Sequence, residues 1–342
     1  MGTGGMTIAL MMASQSIPAL WSVATGFLII TIFLFTVFIA LFIIRFNFHF
    51  PTLKQDIIHP IKSNFLPMIP ISLIIIGIAV HKLNETIINS ILLTELTHTI
   101  FWVGAIGIFL SGWSIVAMTF INSNITIDHA NYGWLIPPVS HLIIPVLGLS
   151  LVHPSTPMNY SFPLIFVSLI AFGIGAFQYI FVGSIVYHRY TYSKLPASKL
   201  APTFFIGLAP TSIITIILLK IQTVPEMNFL TGSLEVLSDI LPVFAVMTWG
   251  FSLWWIILST LLLMYHILKR NMHFSMSFWS YIFPSATFSI ATGSIDNQLN
   301  LPYFSILFNL SVGILLGLWF FVLFLTLKHA FFTPNTTSIP PT

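Results

Sequence analysis

Ionisable side chains are scarce in this chain and sit in uninviting places for catalysis. It has eleven lysines and arginines, eight aspartates and glutamates and eleven histidines in 342 residues. Almost none lies in the middle of an apolar stretch. Proton-coupled pumps and many ion-coupled carriers bury an Asp, Glu or Lys at functional depth. Here the acids lie at the ends of the stretches, so a carboxylate relay is not expected. No G-x-x-x-x-G-K-[ST] occurs, which excludes ATP hydrolysis through a P-loop. Gly173-Ile174-Gly175 sits in an apolar helical stretch without a preceding strand, and Gly313 with Gly317 forms a G-x-x-x-G pair suited to helix packing. The absence of cysteine rules out disulfides, thiol chemistry and cysteine-held metals. An intramembrane transferase would need clustered acids for a metal-bound diphosphate, or a Ser/His/Asp set at one depth, and neither is found. The residues call for no enzyme activity, no cofactor and no metal.

Three residues stand out. His141 follows Pro138 by three positions and precedes Pro145 by four, a spacing that puts all three on one helix face. It either lines an inner cavity, where it would titrate near neutral pH, or bonds to a neighbouring helix, and the second reading weighs more. His98 enters from the opposite side at a different depth, so the two do not make a bis-histidine haem site. Phe283 stands directly before Pro284 in Phe278-Trp279-Ser280-Tyr281-Ile282-Phe283-Pro284-Ser285. A bulky aromatic before a kink can project into the space that the bend opens, and hydrophobic constrictions gate pores. It is also one of 33 phenylalanines, and composition alone favours an ordinary core or lipid-facing role.

What must position these residues is a set of membrane helices. Hydrophobic residues make up 57% of the chain and charged ones 6%, against roughly 25% charged in soluble domains. Crossing a bilayer takes about 20 apolar residues in a helix. Apolar runs predict ten spans, at about 1–16, 19–45, 64–81, 94–120, 133–152, 160–187, 201–220, 240–268, 277–293 and 303–329. They form a single transmembrane domain over 1–330, followed by a short polar tail, 331–342. The fold class is all-α integral membrane.

Basic residues mark the cytoplasmic side. Arg45, Lys54, Lys62, Arg189, Lys194, Lys199, Lys269, Arg270 and Lys328 fall on one side, and only Lys82 and Lys220 on the other. Both termini are therefore expected in the cytoplasm. No nucleic-acid partner is called for; the bilayer is the partner.

Odd and even spans differ. Spans three, five, seven and nine are short and carry Pro70, Pro138 with Pro145, Pro210 and Pro284. The even spans are expected to be long and without internal proline. Proline removes a backbone donor and kinks a helix, and in lipid the freed carbonyl has no water to bond. Bent helices are thus expected inside and straight ones outside, as five helical hairpins with an inner ring.

The chain resembles the tellurite-resistance/dicarboxylate transporter family, which includes plant guard-cell slow anion channels, yeast malate permeases and sulfite efflux pumps. The resemblance rests on Met1-Gly2-Thr3-Gly4-Gly5, the loop from Arg45 to Phe65 with His59-Pro60, and Trp134 to Pro138. It continues in Leu195-Pro196 through Ala209-Pro210 and in Ser277 to Pro284. It implies that the inner ring surrounds a central pore, and that the protein is a homotrimer of independent pores in the plasma membrane. It also gives Phe283, within W-x-x-x-F-P, the role of pore gate, which reverses the reading from composition. Gly4, Pro70, Pro138, Pro145, Pro210 and Pro284 become kink or pore-lining positions, with His141 and Ser285 as pore polar groups. Lys54, Lys62, Arg189, Lys194, Lys199, Lys269 and Arg270 form a cytoplasmic basic mouth. Because the glycine motif of relatives lies well inside the first helix, the first span is expected to be incomplete at its N-terminus. The resemblance puts a C4-dicarboxylate such as malate first among substrates. Sulfite or tellurite efflux, or a transport-inactive sensor or scaffold, are the alternatives.

Overall fold

The structure, a computed structural model, describes residues 1–153, 157–193, 195–224, 235–269, 272 and 274–332, with the side chains of 235–238 outside the description. Among the described residues, eight helical segments are long and apolar enough to cross a membrane. Ten were expected. Helix α1 (Gly2–Ala13) is only 12 residues long. The ninth expected span forms a helix over Ile282–Leu299, but Ser285, Thr287, Ser289, Thr292, Ser294 and the Asp296-Asn297-Gln298 end dilute its apolar character.

The remaining α-helices are α2 (Leu20–Phe48), α3 (Phe50–Ile58), α4 (Met68–Leu83), α5 (Ile91–Ile121), α6 (Ile136–Gly148) and α7 (Met158–Tyr192). They are followed by α8 (Leu208–Gln222), α9 (Glu235–Leu268), α10 (Ile282–Leu299) and α11 (Pro302–Phe332). Helix α3 lies in a stretch expected to be loop. Contacts close a ring: α1 touches α4, α4 touches α6, α6 touches α8, α8 touches α10, and α10 touches α1. Each ring helix also packs on the long helix that follows it. Burial separates the two sets. In the ring segments that include α4, α6 and α8, 61–89% of the most apolar window is buried, against 17–33% in α2, α5, α7, α9 and α11. All thirteen residues of α6 are buried.

The prolines act differently from a mid-helix kink. Pro70, Pro138, Pro210 and Pro284 are each the third residue of a ring α-helix. Each follows a 3-10 segment: Lys62–Phe65, Tyr132–Leu135, Ser198–Gly207 or Met276–Tyr281. A missing N–H is tolerated in the first helical turn, so the bend falls where 3-10 winding gives way to α. Gly4 is the third residue of α1 and occupies the same register. Pro145 alone lies in a ring-helix interior. Hydroxyls satisfy carbonyls near these junctions: Ser72 donates to Met68 O (2.7 Å), Ser140 to Pro137 O (2.6 Å), Ser212 to Leu208 O (2.9 Å) and Thr287 to Pro284 O (2.8 Å). Such back-bonding itself tends to bend a helix.

One expectation is corrected. The outer helices are not proline-free, since α7 contains Pro163 and α9 contains Pro242. Each lies within the first eight residues of a helix more than thirty long, so the disturbance is confined to one end.

Polar tethers join ring to outer helices, as small hydroxyl residues do in apolar surroundings. Between α8 and α9, Thr211 Oγ1 meets Ser252 Oγ at 2.7 Å and Thr215 Oγ1 meets Thr248 Oγ1 at 2.8 Å. Trp249 Nε1 donates to Thr292 on α10 (2.9 Å), and Trp319 Nε1 of α11 to Thr3 on α1 (3.3 Å). Trp255 Nε1 donates to Phe204 O at 2.9 Å, and its indole lies over Gly207, where a Cβ would stand 2.3 Å from the ring. Gly207→Ala is therefore expected to destabilise the protein by about 1–3 kcal/mol, the usual cost of overpacking, read as a lower unfolding midpoint in detergent.

Candidate functional site

On the axis of the ring lies a cavity of about 30 Å³. Every ring helix contributes two residues one turn apart: Gly5 and Ile8, Ile75 and Ile78, Ile143 and Val146, Ile213 and Ile216, Thr287 and Ile290. Spacing of i,i+3 puts both members of each pair on one face. Phe283, one turn before Thr287, is the remaining lining residue. Thr287 is the only lining residue with a polar side chain, and its hydroxyl already donates to Pro284 O. A water needs roughly 10–15 Å³ and two to four polar partners. The cavity has space for about two waters and almost nothing to hold them, so it disfavours water.

Phe283 is 8% exposed. Its neighbour on the adjacent ring helix α1 is Gly5, where an added Cβ would stand 3.6 Å from Phe283 Cδ2 and 2.9 Å from Ala286 Cβ. Absence of a side chain at Gly5 is what lets the phenyl ring and α10 come this close. The preceding 3-10 segment is anchored by Trp279, whose Nε1 donates to Thr326 Oγ1 on α11 (3.1 Å). Trp279 thus positions the Phe283 turn from behind. On the same face of the molecule, Trp134 Nε1 and Asn64 Nδ2 both donate to Pro60 O, at 3.1 and 3.0 Å. The His59-Pro60 and Trp134 segments, 74 residues apart, therefore meet.

That motif geometry agrees with what the whole chain resembles. A family model described as voltage-dependent anion channel matches residues 1–327. The chain belongs to the voltage-dependent anion channel family. It is 29% identical over 293 residues to an uncharacterized transporter of Methanocaldococcus jannaschii, covering 85% of this chain and 81% of that protein. A second uncharacterized transporter of that organism is 28% identical over 327 residues, with 94% and 87% covered. A sulfite efflux pump of Arthroderma benhamiae is 21% identical over 342 residues, with 95% and 87% covered. Membership of an anion-channel family makes this a membrane-embedded transport protein with small anions as its substrate class.

Within this anion-channel framework the other expected site residues divide. Gly4 does not face the cavity: a Cβ there would lie 2.6 Å from Ile75 Cγ2 and 3.2 Å from Thr31 Cγ2, so it lets α1 settle on α4 and α2. The cavity-lining glycine is Gly5. Pro70 faces α5, with its Cβ 3.0 Å from where a Cβ on Gly107 would stand. Pro138, Pro145, Pro210, Pro284 and Ser285 are not among the lining residues; the Ser285 carbonyl accepts from Ser289 at 3.1 Å. His141 turns away from the axis. Its ring lies on Gly112 of α5, where a Cβ would be 2.4 Å from Cε1, and stands 5.6 Å from the Phe109 ring. Nδ1–H donates to Pro137 O at 2.9 Å. Of the two readings offered by the sequence, the bonded one describes it, except that the partner is a carbonyl of its own helix.

The basic positions are equally uneven. Lys54 and Lys199 are exposed. Lys199 sits in the lead-in to α8, and its carbonyl accepts from Ser277 Oγ at 2.6 Å. Arg189 is buried, with its guanidinium 5.0 Å from the centre of the Tyr190 ring. Lys269 Nζ lies 5.6 Å from the Tyr265 ring centre. Lys194 and Arg270 lie outside the described residues. Lys62 is taken up by Asp56 (2.8 Å), which Arg45 also pairs. Hydrogen bonds from Lys62, then Arg45, hold the Asp56 carboxyl below the usual aspartate range. A carboxyl lowered on folding stabilises at pH values above its unfolded pKa, and that contribution disappears as pH falls through the folded value. The clip joining α2 to the α4 lead-in is therefore expected to loosen only on acidification below about pH 4. Both cations are substantially exposed, so the loss should stay within about 1 kcal/mol. Asp56→Asn should lower the neutral-pH midpoint of a detergent melting profile by that same small amount, leave the midpoint at low pH unchanged, and so flatten this share of the fall on acidification.

At the opposite end of the ring, Lys82 and Lys220 close the last turns of α4 and α8. Both are half-buried, and Lys220 Nζ donates to Ser150 Oγ at 2.5 Å. They were visible in the sequence as the only two exceptions to the charge rule, a signal that a function-minded reading would have used.

Proposed function

We propose that the protein is a passive conduit for small, singly charged anions, running along the ring axis and closed by Phe283. The five ring helices with their following partners are the five hairpins of this conduit. The observation that carries the proposal is the axial cavity, to which every ring helix contributes a pair and α10 adds Phe283. Taking a bare anion into such a lining costs of order 20 kcal/mol by idealised Born reasoning, so passage requires the ring to open and admit water. The cost grows with the square of the charge, which disfavours a dicarboxylate dianion in a lumen without a cation. The reading therefore moves from malate to monovalent inorganic anions such as nitrate, chloride or hydrogensulfite. A sulfite efflux pump among the relatives is in keeping with this.

Ring helices start on the face carrying the basic lead-ins, so their positive ends, worth about half a charge each, and those lysines both draw anions there. That face is assigned to the cytoplasm with both termini, in the plasma membrane. Assembly as a homotrimer follows from the resemblance. Reconstituted liposomes offered nitrate, chloride, hydrogensulfite and malate, with membrane potential and pH varied separately, test the proposal. Monovalent flux should follow the potential and greatly exceed malate flux. Faster malate flux, or flux driven by a pH gradient alone, would contradict it.

A further inference from the structure

At the end of the ring away from the basic lead-ins, three potential metal ligands converge from two parts of the chain. We propose that His81, Glu85 and His153 form a binding site for a divalent transition-metal ion of the zinc type. His81 Nε2 lies 3.2 Å and His153 Nε2 2.9 Å from the same Glu85 Oε1, and all three ligand atoms lie within 4.8 Å of one another. Tetrahedral zinc with bonds of about 2.1 Å keeps its ligand atoms roughly 3.4 Å apart, so small shifts would suffice to seat an ion. Two imidazoles and a carboxylate also suit that metal class and leave a position open for water.

Burial supports the assignment. His81 is 7% exposed, and its Nε2 is buried without an aligned hydrogen bond. It stands 3.2 Å from Glu85 Oε1 and so faces the other ligands. The backbone behind Glu85 is firmly held. Residues Asn84–Ile88 form a π turn, a feature often found at functional sites. Asn84 pins that turn: its Nδ2 donates to Ser90 O (3.1 Å) and Thr94 Oγ1 (3.0 Å), and its Oδ1 accepts from Ser90 N (2.7 Å). Lys82 and Lys220 are the charged neighbours that oppose a cation here. Ser150 holds the Lys220 ammonium, and the Glu85 carboxylate supplies the compensating charge. No metal was expected from the sequence, because His153 is 68 residues from Glu85 and no local motif joins them.

The test uses the full-length protein in detergent, stripped with EDTA and titrated with zinc chloride by calorimetry. One equivalent should bind. His153→Ala and Glu85→Gln, both at substantially exposed positions, should each weaken binding tenfold or more, since even outer-shell changes act on that scale. His129→Ala, at a half-buried histidine whose Nδ1 accepts from Thr126 N, should bind as the parent does. Metal-free melting curves confirm that the variants are folded. No binding by the parent, or parent-like binding by either His153→Ala or Glu85→Gln, would overturn the site. None of these measurements depends on transport.

Discussion

Phe283→Ala is expected to raise anion flux in liposomes by about tenfold or more, which corresponds to a barrier lower by at least ~1.4 kcal/mol. The phenyl ring reaches an axial space otherwise bounded by isoleucine, valine, glycine and threonine. Its near neighbour Gly5 has no side chain that could move in to replace it. Truncation therefore joins the small cavity to the volume that the ring leaves. An ordinary core phenylalanine behaves differently: cutting it to alanine typically costs 3–5 kcal/mol of stability and opens no path. Flux and melting temperature measured on the same preparation separate the two cases. Higher flux with a modest loss of stability supports the gate. A large loss of stability with unchanged flux would return Phe283 to the core.

The second large effect belongs to the other end of the ring. Lys220→Gln should lower anion flux several-fold in dilute salt and much less in concentrated salt. At about 7 Å and an effective dielectric near 40, a unit charge is worth ~1.2 kcal/mol to a passing anion, roughly a sevenfold change. Screening lengths of about 30 Å at 0.01 M and 3 Å at 1 M predict that salt removes the difference. Glutamine keeps a donor on a side chain one bond shorter, and a melting curve on the same preparation checks that the fold is spared. A defect of equal size at both salt concentrations would instead assign Lys220 to structure, through its bond to Ser150.

Much of the fold was legible because bilayer crossing leaves long apolar runs, and α2 spans Leu20–Phe48 where the run at 19–45 placed it. Proline stands near the start of four of the five ring helices, but it also occurs in two outer helices and so did not by itself separate the sets. What the prolines could not disclose was register: Pro70, Pro138, Pro210 and Pro284 read as kinks inside the spans because the apolar runs continue into the 3-10 lead-ins before them. Pro163 and Pro242 already lie within the apolar runs at 160–187 and 240–268, so the proline-free description of the outer helices was wrong on the sequence itself. The site was only partly legible. Phe283 came from a resemblance, not from its own composition. Gly4 and Gly5 are adjacent, and only helix phase decides which one faces the axis. His141 shares a helix face with two prolines, but that face meets Gly112 of α5, a pairing no local pattern reveals.

The axial route itself can be tested with single cysteines, because the natural chain has none. In a Phe283→Ala background, cysteine at Ile216 or Ile290, both lining positions, would be treated with a water-soluble methanethiosulfonate, with Ile257→Cys on the exposed face of α9 as control. Modification at the two lining positions should abolish flux and leave the control conducting. Full modification at Ile216→Cys and Ile290→Cys with undiminished flux would place the anion path somewhere other than the ring axis.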